Sequence, residues 1–176
     1  INNRVSCGLF STFNGDLIKD VTLVNLKTRE GSNNVGGLVG NTIGNVDIDN
    51  CKVYLNLEDE AVEKINEKNI VLYGNGTVGG LVGNNQAILT IKNSMVSTVL
   101  GNNRITSTTA GGLGGRTTYK VNIENSYCDS YIYGKNASGL VGYSSAVVTI
   151  NNCYVTGFLY GWIDGEGKQD QGGQYG

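Results

Sequence analysis

Gly36-Gly37-Leu38-Val39-Gly40-Asn41 recurs almost unchanged as Gly79-Gly80-Leu81-Val82-Gly83-Asn84. Gly111-Gly112-Leu113-Gly114-Gly115 and Ser138-Gly139-Leu140-Val141-Gly142 are close variants, and Cys7-Gly8-Leu9-Phe10-Ser11 is a degenerate first copy. Self-similarity of this kind restricts a chain to stacked or radial repeat architectures before any other feature is considered. Taking each motif leucine as zero (Leu9, Leu38, Leu81, Leu113, Leu140), the spacings are 29, 43, 32 and 27 residues. In the last four copies position +12 is always asparagine: Asn50, Asn93, Asn125 and Asn152. The residue after it is always small: Cys51, Ser94, Ser126 and Cys153. A fixed interval inside a repeat of variable length means that one segment is templated and the remainder is loop.

Within the templated segment apolar residues alternate. Position +8 holds Val46, Leu89, Val121 and Val148, and +10 holds Ile48, Ile91, Ile123 and Ile150. Period two with β-branched residues on one side is a half-buried strand. Beyond the asparagine the alternation resumes one residue out of phase, so that Cys51, Val53 and Leu57 point inward, as do Ser94, Val96 and Leu100. Ser126, Cys128 and Ile132, then Cys153, Val155 and Leu159, follow the same rule. A phase slip at asparagine reads as a bend in which that residue adopts the left-handed backbone. In the first copy Ile18, Asp20, Val21 and Leu23 take the equivalent roles after a one-residue deletion.

These features predict an all-β chain: a right-handed, roughly three-sided parallel β-helix of about five coils. Each coil supplies a Gly-Leu strand, a second strand near +8 to +10, and a third from +13, stacked at ~4.8 Å. The long interval is assigned to a short surface helix over about 57–68, with Ala61, Val62 and Ile65 on one face and Glu60 and Lys64 at i,i+4. The solenoid is assigned to 1–160, and the glycine-rich 161–176 to a tail or linker with Trp162 covering the last coil.

The composite G-G-L-V-G-x-N…I-x-N-C-Y-V-x-G resembles the GLUG repeat of bacterial surface proteins and of the non-catalytic part of M26-type immunoglobulin A peptidases. Ser138 to Gly157 is the fullest match, and Val35 to Tyr54 and Val78 to Val96 match well. The fourth copy departs by placing Gly114 after the leucine. The resemblance, covering roughly residues 7–160, implies a structural repeat rather than a catalytic domain.

Chemistry-bearing patterns are sparse. The chain has no histidine, which removes Ser-His and Cys-His nucleophile systems and most zinc sites. The glycine motif lacks the following helix that a phosphate or dinucleotide site needs, and its glycines are better explained by tight turns and close coil-to-coil backbone approach. With 13 basic and 15 acidic residues well mixed, no nucleic-acid footprint exists, and no apolar stretch approaches a membrane span. No cofactor, metal or catalytic residue is therefore assigned, and the chain is read as a non-enzyme.

The enzyme alternative rests on carboxylates: Asp47 and Asp49 on one outer face, with Glu124 in the phase of Asp49 two coils on, a pairing that carbohydrate-active β-helices could use. An ice-binding face would need a regular threonine row, whereas position +9 mixes Thr90 and Thr149 with Asp47 and Asn122. Cys51 and Cys153 share a phase three coils apart, too far for a disulfide, and Cys128 lies two residues out of phase with Cys153. All four cysteines, Cys7 included, are expected as unpaired thiols in small inward slots. Asn75 and Asn136 head N-x-[ST] sequons in the loops before glycine motifs, candidate glycosylation acceptors. Tyr119, Tyr127, Tyr131, Tyr133, Tyr143, Tyr154 and Tyr160 crowd the last two coils and are expected to form same-face stacks.

The expected role is a structural and adhesive repeat module of an extracellular or cell-surface protein, a rigid spacer and interaction surface. Its partners would be adjacent domains of a longer chain, neighbouring subunits, or a host protein or glycan. A glycan-binding or carbohydrate-active module and a filament subunit are the alternatives. The abrupt opening at Ile1 is read as that of a piece cut from something longer.

Overall fold

The computed structural model describes residues 6–28, 32–56, 70–102 and 108–161. Among the described residues every pairing between strands is parallel, and the sheets run along a β-solenoid. The first sheet stacks Ser6–Cys7, Asn34–Gly36, Thr77–Gly79, Thr109–Gly111 and Asn136–Ser138. The second stacks Phe10–Phe13, Val39–Thr42, Val82–Asn85, Gly114–Thr117 and Val141–Ser144. The third stacks Leu17–Lys19, Val46–Asp49, Leu89–Lys92, Val121–Glu124 and Val148–Asn151. Five rungs are thus joined by four turns from level to level. The fourth sheet adds Thr22–Val24, Lys52–Tyr54, Met95–Ser97, Tyr127–Gly134 and Tyr154–Gly161. It is lengthened by Val99–Asn102, which pairs with the second half of Tyr127–Gly134, and by Leu72–Gly74, which pairs with Val99–Asn102.

Each rung therefore has four strands where three were expected, and the difference lies in the glycine motif. It forms a corner between the first and second sheets instead of one strand: strands end at Gly36, Gly79 and Gly111 and restart at Val39, Val82 and Gly114. Backbone crowding is the cause. A Cβ on Gly36 would stand 2.1 Å from the Val39 carbonyl oxygen, and one on Gly80 2.2 Å from that of Gly112. No side chain fits between rungs there, so two glycines turn the chain while Leu38, Leu81 and Leu113 bury completely beneath them.

The second corner behaves as the phase slip requires. Asn50, Asn93, Asn125 and Asn152 have φ between 48° and 51°, and Asp20 takes the same place in the first rung at 58°. Asparagine tolerates this left-handed backbone because its short polar side chain bonds locally. Here it bonds the rung before: Asn50 Nδ2 donates to Asp20 Oδ1 at 2.7 Å, Asn93 to Asp49 at 2.8 Å, Asn125 to Asn93 at 3.5 Å and Asn152 to Asn125 at 2.7 Å.

Inside, Val46, Ile48, Leu89, Ile91, Val121 and Ile123 form buried columns with Val53, Val96, Leu100, Cys128 and Ile132. Ile18 aligns with Ile48 and Leu23 with Val53, as the shortened first copy predicts. The helix expected over 57–68 and inward Leu57 lie outside the described residues. Leu72, opposite Leu100, occupies that column in the second rung. The final strand runs through Gly161, one residue past the assigned boundary, and Trp162 and the rest of the tail lie outside the described residues.

Candidate functional site

The lateral faces are ladders in which each outward row is read off the register. On the third sheet one row runs Leu17, Asp47, Thr90, Asn122, Thr149, and the next Lys19, Asp49, Lys92, Glu124, Asn151. The acids singled out for catalysis therefore do not converge: Lys92 stands between Asp49 and Glu124. Lys19 Nζ lies 3.3 Å from Asp49. The Asn93 hydrogen bond holds the Asp49 carboxyl below the ordinary carboxylate value despite some desolvation, with Lys19 and Lys92 adding to the effect. A general acid needs the opposite shift. These side chains neutralise one another along the rod, and the threonines at +9 are interrupted by Asp47 and Asn122.

The small residues after the corner asparagine form a hydrogen-bonded column. Ser94 Oγ donates to the Lys92 carbonyl at 2.6 Å and accepts from the Cys51 amide at 3.1 Å. Ser126 Oγ repeats this with Glu124 and the Ser94 amide. Cys51 Sγ and Cys153 Sγ approach the equivalent carbonyls, of Asp49 at 3.4 Å and Asn151 at 3.2 Å. All four cysteines are unpaired; Cys51 and Cys128 are buried, and Cys7 and Cys153 half-buried. Burial pushes the Cys128 thiol up to about 12, keeping it protonated and unreactive.

A second polar column was not anticipated. Position +4, which is Thr42, Asn85, Thr117 and Ser144, turns inward, and Asn85 joins Thr42 to Thr117 in the buried interior. The constant small polar type at +4 was the available signal.

The aromatic residues divide. Tyr127 stacks on Tyr154 at 4.8 Å, Tyr131 on Phe158 at 4.9 Å, and Tyr133 on Tyr160 at 4.6 Å, all on the outer face of the fourth sheet. Centroid distances close to the strand spacing mean that ring faces point along the rod. Tyr143 instead lies under the Arg116 guanidinium, 5.6 Å from the ring centroid, and Tyr119 is exposed at a corner. Beside the stacks lies an apolar cluster also missed in the sequence: Leu55, Val71, Val99 and Tyr133 are buried on this outer face. Its signal was the continuous run Ile70-Val71-Leu72-Tyr73, apolar in both phases.

Of the two sequon asparagines, Asn136 is exposed at the start of its strand, and its backbone amide is bonded to the Thr108 carbonyl. Asn75 is half-buried in a turn and held by the Ser32 carbonyl.

The end of the last rung opens into a cleft of about 510 Å³ lined by Leu140, Val141, Val148, Ile150, Val155 and Leu159. Among the described residues no helix is long and apolar enough to cross a membrane, and no group of three His, Cys, Asp or Glu side chains is placed to hold a metal. No family model, curated protein or solved structure matches the chain.

Proposed function

We propose that this β-solenoid is a GLUG-type structural module of an extracellular or cell-surface protein, serving as a stiff spacer and as an interaction surface. The observation that carries this reading is the engagement of lateral polar side chains with the rung before or after. Asp49 is held by Lys19 and Asn93, Asn84 Nδ2 bonds Asn41, and Thr156 bonds Asp129. Such residues fix spacing and register, the task of a spacer. A glycan-binding variant is favoured by the exposed pair Arg116 and Tyr143 on the second sheet, a guanidinium lying over an aromatic ring.

Incubation with a polysaccharide panel tests the reading against the enzymatic one. Retention on immobilised glycans or host surface proteins without release of sugar is expected. Release of reducing ends or unsaturated products, lost in an Asp47→Asn/Asp49→Asn variant, would replace it with a carbohydrate-active enzyme.

A further inference from the structure

We infer that Asn14-Gly15 is a self-modifying site, at which the folded chain converts Asn14 to aspartate and isoaspartate while its second Asn-Gly pair, Asn75-Gly76, is held inert. This inference stands independently of the spacer reading. It rests on the chemistry of the dipeptide and on what the solenoid does to each copy.

The reaction takes its nucleophile and its electrophile from adjacent residues. The Gly15 amide nitrogen, once its proton is lost to hydroxide, attacks Asn14 Cγ. The new N–Cγ bond closes a cyclic imide, and the Cγ–Nδ2 bond breaks to release ammonia. Water then opens the ring at either carbonyl. Opening at Cγ leaves aspartate in the original chain, and opening at the main-chain carbonyl leaves isoaspartate, whose backbone runs through Cβ and Cγ. Glycine is the favourable second residue because no Cβ obstructs the approach of its nitrogen. In a folded chain the amide must not be committed to a hydrogen bond, and the asparagine side chain must be able to swing onto it.

Asn14-Gly15 meets both requirements. The pair lies between Phe10–Phe13 and Leu17–Lys19, at the corner joining the second and third sheets. Among the described residues the Gly15 amide donates to no acceptor, and the Asn14 side chain has no hydrogen-bond partner. On either side the chain is anchored: the Phe13 carbonyl accepts from the Ile43 amide at 3.0 Å, and the Asp16 carbonyl from the Asp47 amide at 2.8 Å. The pair is thus a short unbonded arc between fixed points, and the extra main-chain atom of isoaspartate enters where no ladder bond is interrupted. Exposure here belongs to the corner, not to the place of the rung in the stack. Ile43 and Gln86, which follow the second-sheet strand in rungs covered on both sides, are exposed as Asn14 is.

Elsewhere the stack withholds one requirement or the other. Asn75-Gly76 is half-buried; the Asn75 amide donates to the Ser32 carbonyl at 2.8 Å, and the Gly76 carbonyl accepts from the Thr109 amide at 3.3 Å. Gly76 also lies against the rung before, where a Cβ would stand 2.6 Å from the Asn33 carbonyl oxygen. At the asparagine corner the following residues are small too, but the side chains of Asn50 and Asn93 are bound in the ladder. The amides of Cys51 and Ser94 are committed to Ser94 Oγ and Ser126 Oγ.

Peptide mapping of the whole chain, incubated at mildly alkaline pH both folded and in urea, tests this. Trypsin isolates Asn14 as the only asparagine of Val5–Lys19, and Asn75 falls in Asn69–Lys92, where fragment ions locate it. In the folded chain Val5–Lys19 should gain the mass difference between water and ammonia and separate into two chromatographic forms. Asn14 should convert about tenfold or more faster than Asn75, because a rung must open locally before the second ring can close. In urea the two rates should converge. Gly15→Ala, whose Cβ first meets the movable Phe13 ring at 2.8 Å, should lose most of the conversion at Asn14. Folded conversion at Asn75 as fast as at Asn14 overturns the inference. So does an Asn14 that stays intact in the folded chain while the urea-treated chain converts, or an undiminished rate in Gly15→Ala. If circular dichroism shows that Gly15→Ala does not fold, the comparison of folded and urea-treated wild-type chain decides the outcome.

Discussion

At the scale of single residues, the glycines and asparagines of the motif do different work, and substitution should separate them. A Cβ on Gly80 would meet the Gly112 carbonyl at 2.2 Å and Val96 Cγ1 at 2.4 Å, so Gly80→Ala is expected to cost more than about 3 kcal/mol, in the range of severe core disruption. Gly114 is the contrast: a Cβ there has nothing within 4 Å, and its neighbours in register are Val82 and Val141. Gly114→Ala should stabilise by roughly 0.5–1 kcal/mol through a less flexible unfolded chain. Urea midpoints of the two variants moving in the same direction would contradict the assignment. At Asn93, φ 50° makes alanine costly by about 1–2 kcal/mol, with glycine cheaper than alanine since it recovers the backbone though not the ladder bond. Cys128 gives a pH signature. The folded thiol holds its proton more tightly than an unfolded one, so its contribution is intact below the ordinary 9.0 and is lost as pH rises toward about 12. Stability should fall across that window, and Cys128→Ala should flatten the fall when urea midpoints at the two ends of the window are compared.

At the scale of elements, the ladder rows make electrostatic predictions. Lys92 separates Asp49 from Glu124 in the outer row of the third sheet. Lys92→Glu places three acids in line and should destabilise by up to about 1 kcal/mol, an effect relieved by high salt because the row is exposed. A salt-independent loss would mean that lysine packing, not charge, matters there. The same elements show what the sequence could and could not disclose. Strands at +8 to +10 and beyond the asparagine were legible because one face is buried and the other wet, which period two reports directly. The asparagine corner was legible because a phase slip leaves a mark in the pattern. The glycine corner was legible only in part: its glycines call for tight turns and close backbone approach, but not for a break between two strands. Leu38 and Val39 are both buried, so Gly-Gly-Leu-Val carries no alternation to distinguish a bend from a strand. The outer cluster of Leu55, Val71, Val99 and Tyr133 was hidden for a related reason, since a strand covered on both faces has lost its period. The carboxylate row was legible in phase, Lys92 included, because position +11 is fixed by the same period-two register that stacks Asp49, Lys92 and Glu124.

At the scale of the whole molecule, five rungs share one set of columns, and each column is continuous through backbone pairing and side-chain contact. Stability in such a stack is approximately a sum over neighbouring levels. A lesion in the third rung, such as Gly80→Ala, should therefore expose amides of its own and adjacent rungs to hydrogen exchange before those more remote. The central claim is the parallel in-register stacking that the two corners impose. It is tested most directly by backbone nuclear Overhauser contacts along the third sheet. The account predicts inter-strand contacts of parallel type linking Ile18 to Ile48, Ile48 to Ile91, Ile91 to Ile123 and Ile123 to Ile150, each to its neighbour in that order. Antiparallel contacts, or a strand shifted by one residue so that Asp47 or Thr90 faces the interior row, would contradict it.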